Sequence, residues 1–435
     1  YMSASWGILG PGSVESVRRV RTLGLASSTR LFNELAVPGL GGVWFGKQLL
    51  FSTLGVMVAE QAALRGKSVT QIEVANAIEA LACWMALAEE PQAGEGRIRG
   101  TTKLAGLSAK DFIFRNASRP GFYVTQPMRM ATVNVLPALG LVQPGGGRFN
   151  SFRCSEDGLA FVETAFAEHR PFRRSVPDHL LQWVLGQVDK IDSPVLREAL
   201  SPLQPLSEKA CTLLRERLLQ GSSASPSGER QRRRDALNWV QSRRENAPPC
   251  QWEQQPTQIS DPKHWSDMRA GAGFFAARDA AQDLLNKLEV HIGDRGNRFL
   301  IGSSLPQQLR EPFSDLQFKA RAFLELQHED KEATTFCREV ISADDNVLRQ
   351  LVARDGRILR LVGDHVCAGQ AFEAADAEAS ASGATYDQED SAPADNFGWP
   401  PDISHRVRNL WWLSLDIERN LNAWLHPIEA EVAHG

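Results

Sequence analysis

Residues 125–166 read TQPMRMATVNVLPALGLVQPGGGRFNSFRCSEDGLAFVETAF, a stretch whose prolines, glycines and caps mark out successive short elements. Thr125 can cap a helix whose second position is Pro127, where a missing N–H costs nothing. Met130, Val133 and Leu136 then make an apolar face, with Arg129 and Thr132 turned away from it. Leu139–Gly140 ends that helix, and Pro137 is expected to kink its last turn. Leu141 and Val142 start a short strand. Gln143-Pro-Gly-Gly-Gly147 can only be a turn. Arg148 to Arg153 alternates Phe149 and Phe152 with polar residues, as a returning strand does. Ser155 caps a further helix carrying Leu159, Phe161, Val162 and Phe166.

Working outward, most of the remaining chain follows helical periodicity. Residues 47–65 form a helix ended by Gly66. Residues 68–90 form another, with Ser68 and Gln71 in capping-box register and Val74, Ile78, Leu81 and Met85 on one face. Downstream helices are expected at 207–219, 230–244, 273–292, 313–327, 331–362 and 403–425. The last has Asp402 as its cap. Its positions from Ile403 to Trp424 recur at alternating steps of four and three, a seam for another helix, expected as internal packing rather than as an oligomer contact. Residues 221–228 have linker composition. Residues 371–400 are acidic and poor in bulky apolar groups, as in a disordered insert. The organisation expected is an N-terminal helical segment (1–66), a basic module (67–170), a helical domain (171–370), the acidic insert (371–400) and a C-terminal packing helix (401–435).

The chain has 435 residues, 43% of them hydrophobic and 23% charged. That composition excludes a collagen-like or wholly disordered chain. No window reaches the ~18 uninterrupted apolar residues of a membrane span. The opening Tyr-Met-Ser-Ala-Ser-Trp-Gly lacks a basic stretch followed by an apolar run, so no secretion signal is expected. The six cysteines are isolated, without a C-x-x-C pair, which points to a reducing cytoplasm and away from thiolate zinc. The net charge of −4 hides two opposed blocks. Residues 97–153 carry nine Lys or Arg against one acid, a window of +8; residues 371–400 carry seven acids and no Lys or Arg. A basic block of that density points to a polyanion.

The order helix, strand, glycine turn, strand, helix resembles the second half of a winged helix-turn-helix domain. The phrase from Ala138-Leu-Gly-Leu-Val142 through Arg148-Phe-Asn-Ser-Phe-Arg-Cys-Ser-Glu-Asp-Gly158 is similar to the wing of many bacterial members of that superfamily. The resemblance implies a mainly α fold: a winged-helix module with a small β wing, joined to a larger helical domain. It implies duplex DNA as ligand, with the helix from Gln126 in the major groove and the Gly145–Arg148 tip at the backbone. Arg115, Arg119, Arg129, Arg148 and Arg153 become candidate phosphate contacts, and Gln126 and Asn134 candidate base readers. The same fold also serves protein contact alone; the +8 window favours DNA.

Other signals are weaker. Gly41–Lys47 matches G-x-x-x-x-G-K of phosphate-binding loops, but Gln48 stands where a magnesium-binding hydroxyl belongs. An NTP-binding enzyme using that loop is therefore an alternative reading. Asp315 with Glu329-Asp330-Lys331 superficially offers a nuclease set, and Asp364-His365 with Cys367 a nucleophile pair. The arginines of 230–244 read as a solvated helix face or as added phosphate contacts. The expected function is a non-catalytic DNA-binding accessory subunit of a bacterial multi-protein system, with defence against foreign DNA as a context. No cofactor or metal is expected. Partner subunits would dock on the helical domain and the C-terminal helix. The layout also resembles kleisin-type bridging subunits of condensin-like complexes, whose marker would be that C-terminal seam.

Overall fold

The computed structural model describes residues 21–89, 96–189, 191–243, 248–293, 298–302, 304–342, 344–372, 393 and 397–426. The N-terminal reading on residues 1–20 and most of the acidic insert lie outside the described residues. In chain order the helices are α1 (Ala26–Ala36), α2 (Gly46–Leu64), α3 (Gln71–Glu89), α4 (Thr101–Leu104), α5 (Phe114–Ala117), α6 (Arg129–Thr132) and α7 (Val135–Ala138). The strands β1 (Val142–Gln143) and β2 (Arg153–Cys154) follow. Then come α8 (Glu156–Ala165), α9 (Val176–Leu185), α10 (Pro194–Leu200), α11 (Glu208–Gln220), α12 (Ser227–Ser242) and α13 (Pro262–Gly293). The last part holds β3 (Arg298–Leu300), α14 (Gln307–Glu325), α15 (Lys331–Val340), α16 (Asp344–Asp355), β4 (Leu359–Val362), β5 (His365–Ala368), α17 (His405–Ile417) and α18 (Leu421–Leu425). The fold is mainly helical with two small antiparallel sheets. Among the described residues no helix is long and apolar enough to cross a membrane.

The chain divides into two compact units. The larger takes Thr29–Phe275 and Tyr386–Gly435; the smaller takes Tyr1–Ser28 and Ala276–Thr385. This division differs from the five segments expected from composition.

In the larger unit α2 and α3 are the centre. Both are buried over most of their surface, so neither shows a one-sided apolar stripe. Gly55 lets them touch, since a Cβ there would lie 2.5 Å from that of Ala75. The capping box of α3 sits two residues beyond the expected one. Glu73 accepts from the Thr70 N–H (2.7 Å), and Thr70 Oγ1 accepts from the Glu73 N–H (3.2 Å). Of residues 221–228, expected as a free linker, 221–226 form a pinned turn, with the Ser222 N–H donating to the Ala138 carbonyl at 2.8 Å, and Ser227 and Gly228 already belong to α12.

The expected C-terminal helix is two helices, broken at Glu418–Asn420 with Arg419 at φ +61°. Ser404, not Asp402, caps α17. Nine consecutive residues of α17, Asn409–Ile417, are buried, polar ones included, and at its cap the Ser404 hydroxyl donates to Asn33 Oδ1 at 2.7 Å. The Ile403–Trp424 seam is internal packing of this unit, which removes the marker of the kleisin-like reading.

The smaller unit corrects a second expectation. Residues 331–362 are not one helix. Chain reversal at Gly356 (φ +61°) ends α16, and β4 pairs with β5 across a Gly363–Asp364 turn, with Val362 opposite His365. β3 adds to the other edge of β5. Inside this unit Arg21 bridges two buried carboxylates, Glu289 at 2.5 Å and Asp355 at 2.6 Å.

Candidate nucleic-acid interface

A hairpin forms, but with two residue pairs, Val142 opposite Cys154 and Gln143 opposite Arg153; the returning strand expected over 148–153 is confined to Arg153–Cys154, because Phe149–Ser151 close a 3-10 turn. Its tip is built for glycine. A Cβ on Gly145 would lie 2.3 Å from the Ser151 carbonyl oxygen, and Gly147 has φ +73°. Phe149 and Phe152 are buried beneath it, 5.4 Å apart. The hairpin is fixed to both central helices. Asn150 Oδ1 accepts from the Ile72 N–H (2.9 Å), Gln71 Nε2 donates to the Phe152 carbonyl (3.3 Å), and Glu60 accepts from the Cys154 N–H (3.1 Å). Burial raises the Glu60 carboxyl's pKa, opposed by the Cys154 N–H and the Arg153 charge. Ser155 caps α8 by accepting from the Gly158 N–H at 2.9 Å.

The helix expected from Gln126 does not form as one piece. Thr125 caps nothing. The chain enters by tight turns (Met130 N–H to the Pro127 carbonyl, Ala131 N–H to that of Met128), and helical structure begins at Arg129. Two single turns, α6 and α7, meet at Val133–Asn134. Pro137 lacks the N–H that would have bonded back to Val133, and this breaks the ladder. The helical phase is therefore not the expected one. Thr132 is buried and bonded to Ser52 Oγ, while Met130 is 41% exposed.

The +8 window separates into committed and free charges. Arg97 is buried and donates to Asn422 Oδ1 at 2.8 Å; Arg99 donates to the Gln126 carbonyl at 2.7 Å; Lys103 donates to those of Gly121 and Tyr123. Arg129, expected on phosphate, donates to Asn76 Oδ1 at 2.6 Å and lies 5.6 Å over the Phe149 ring. Burial pulls its pKa down, with Glu79 opposing. It is a structural clamp between α6 and α3. Gln126 is half-buried, and Asn134 is exposed at the break. Arg115, Arg119, Arg148 and Arg153 are exposed, and their guanidinium groups make no hydrogen bond or ion pair among the described residues.

Arg115 and the hairpin flank the first turn of α3. Ile72 meets the hairpin. A cavity of about 370 Å³ is lined by Lys67, Ser68, Glu73, Arg115 and Ser118 among others. Lys67, and with it Arg65 on the same exposed connection, are cations that sequence reasoning missed. The signal available was the Arg65-Gly-Lys67 turn itself.

A buried carboxylate on α3 fixes the segment that leads into α6. Glu79 Oε1 accepts from the Tyr123 hydroxyl (3.0 Å) and the Met128 N–H (2.8 Å), and the Tyr123 hydroxyl also lies 3.3 Å from Cys83 Sγ. Burial pushes the Glu79 carboxyl's pKa up, and Arg99 opposes it.

The Gly41–Lys47 loop turns its cation inward: Lys47 is buried and donates to the Ala199 carbonyl at 2.8 Å. Gly46 is packed against Leu206 and its N–H donates to Asp416 at 2.6 Å. No cation is left there for a phosphate. Arg233 of the second basic cluster is buried, donating to the Leu218 and Pro38 carbonyls. Asp330 caps α15, and Asp315 pairs with Lys319. Among the described residues no three His, Cys, Asp or Glu side chains converge to hold a metal. A cavity of about 570 Å³ between α2, α8 and α9 carries mixed charge, Glu163, Arg170 and Asp178, and is lined by none of the expected contacts.

No family model matches the chain, and no curated protein or solved structure matches it.

Proposed function

We propose that this chain holds the phosphate backbone of duplex DNA with the β1–β2 hairpin and the arginines beside it, as an accessory subunit that positions partner proteins. The observation that carries the reading is a pair of free guanidinium groups, Arg148 and Arg153, on a hairpin hydrogen-bonded to both α2 and α3. A hairpin whose backbone is held in place presents its exposed cations outward to a phosphate, and released counterions drive the association. Arg115, Arg119 and Lys67 extend the footprint around the start of α3. Contact is led by the hairpin. The broken α6–α7 segment offers Asn134 as its one exposed candidate base reader and has its arginine already engaged with Asn76. Backbone contact of this kind positions a protein and carries little sequence information.

The test is fluorescence anisotropy on a 25-base-pair duplex across salt concentrations. The Arg115→Ala/Arg148→Ala/Arg153→Ala variant should lower the magnitude of the slope of log K against log salt by about 2 to 3. Arg129→Ala should lower thermal stability and leave that slope unchanged. An unaltered slope in the triple variant ends the reading.

A further inference from the structure

The sheet β3–β5–β4 of the smaller unit has two unlike faces. Phe299, Leu359 and Val366 point inward and are buried. Alternation sends Arg298 and Leu300, Arg360 and Val362, and His365 and Cys367 to the other face. The register arranges these six in two rows across the strands. Arg298 and Arg360 flank Cys367, and Leu300 and Val362 flank His365. The outer face is open: Leu300 is 47% exposed and Val362 50%, on the two outer strands with His365 between them. Two aligned exposed aliphatic groups form a patch, unlike isolated surface leucines. Neither arginine is paired with a carboxylate among the described residues; Arg360 Nε donates to the Ala368 carbonyl at 3.1 Å.

We propose that this face docks an acidic amphipathic helix of a partner protein. The spacing selects the occupant. Arg298 and Arg360 sit two strand spacings apart, about 10 Å. Carboxylates at i and i+7 of a helix are also about 10 Å apart. A helix laid along the rows therefore sets successive acids on the two arginines. Its neighbouring apolar stripe falls on the Leu300–His365–Val362 row about 7 Å away. A single-stranded nucleic acid fits less well, because base stacking needs aromatic platforms and this face has two aliphatic ones. The assignment is independent of the hairpin's contact with DNA.

The probe is a fluorescein-labelled 21-residue helical peptide with glutamates at i, i+7 and i+14 beside a leucine stripe, titrated with the full chain by anisotropy. Binding is expected, and it should weaken at least tenfold for Arg298→Glu/Arg360→Glu and for Leu300→Ser/Val362→Ser. Arg298→Lys/Arg360→Lys should retain it. All six changes are at exposed positions, and an unchanged circular dichroism melt serves as the folding control. A peptide of the same composition in scrambled order should bind at least tenfold more weakly. Equal binding by the scrambled peptide or by the variants overturns the proposal. So does capture of an oligo(dT) strand by this face without capture of the peptide.

Discussion

Lys47 shows how a single side chain can carry a motif and serve another purpose. Its ammonium is buried, bonded to a backbone carbonyl, and the nearby Asp416 carboxylate is occupied by the Gly46 N–H. Burial lowers its pKa to about 8, with Asp416 and Glu198 pulling the other way. In the unfolded chain the same group titrates near 10.5. Between those two values the unfolded state binds the extra proton, so stability rises with pH across that window, and the cost of the buried charge is fully present below pH 8. Relative to Lys47→Met, the unfolding free energy should climb by about 3 kcal/mol from pH 8 to 10.5. Urea titrations at several pH values measure this, and a difference that stays flat with pH refutes it. The glycine–lysine spacing was legible in the sequence, but the direction of the side chain was not. That direction is set by Ala199, far along the chain. Arg129 is the same case: its partner Asn76 lies on another helix, and nothing local announces it.

At the level of elements, the strand-to-helix junction at 140–158 is set by close contact. A Cβ on Gly158 would stand 2.0 Å from the Leu141 carbonyl oxygen and 3.0 Å from Cys154 Sγ. In an isolated helix alanine would be preferred over glycine by about 1 kcal/mol. Here the crowding of β1 against α8 should reverse the sign, so that Gly158→Ala destabilises by about 1–3 kcal/mol. A raised melting temperature would mean that β1 does not lie against α8 as described. Local chemistry made this junction readable: a run of glycines can only turn, and a serine before Glu-Asp caps a helix. Elements whose boundaries depend on distant packing read less well. α3 starts at Gln71 because Asn150 and Thr70 take its first N–H groups, a choice to which Ser68 was an equal local candidate. The β4–β5 hairpin was hidden because Leu-Arg-Leu-Val fits either period over so short a run. Only the Gly363–Asp364 turn distinguished it.

At the scale of the whole molecule, the eleven tryptophans, against three tyrosines, are unevenly placed. Every tryptophan among the described residues falls in the larger unit, and the remaining one, Trp6, lies outside them. Several join into clusters. Trp239 meets Trp265 at 5.5 Å and Trp399 at 5.6 Å, while Trp411 meets Trp412 at 4.8 Å and Trp424 at 5.5 Å. Intrinsic fluorescence in a Trp6→Phe background therefore reports the larger unit alone, whereas far-ultraviolet circular dichroism reports both. The smaller unit has its own point of dependence in Arg21, which bridges Glu289 and Asp355 in a buried setting. Burial pushes the Asp355 carboxyl's pKa up even with that guanidinium beside it. Arg21→Met would remove the guanidinium held between these two buried carboxylates, a loss of about 3–5 kcal/mol. The circular dichroism transition should then split, with helix lost at lower urea, while the fluorescence midpoint stays within error of the parent. A fluorescence midpoint that moves together with the dichroism would mean that the two units unfold as one cooperative body.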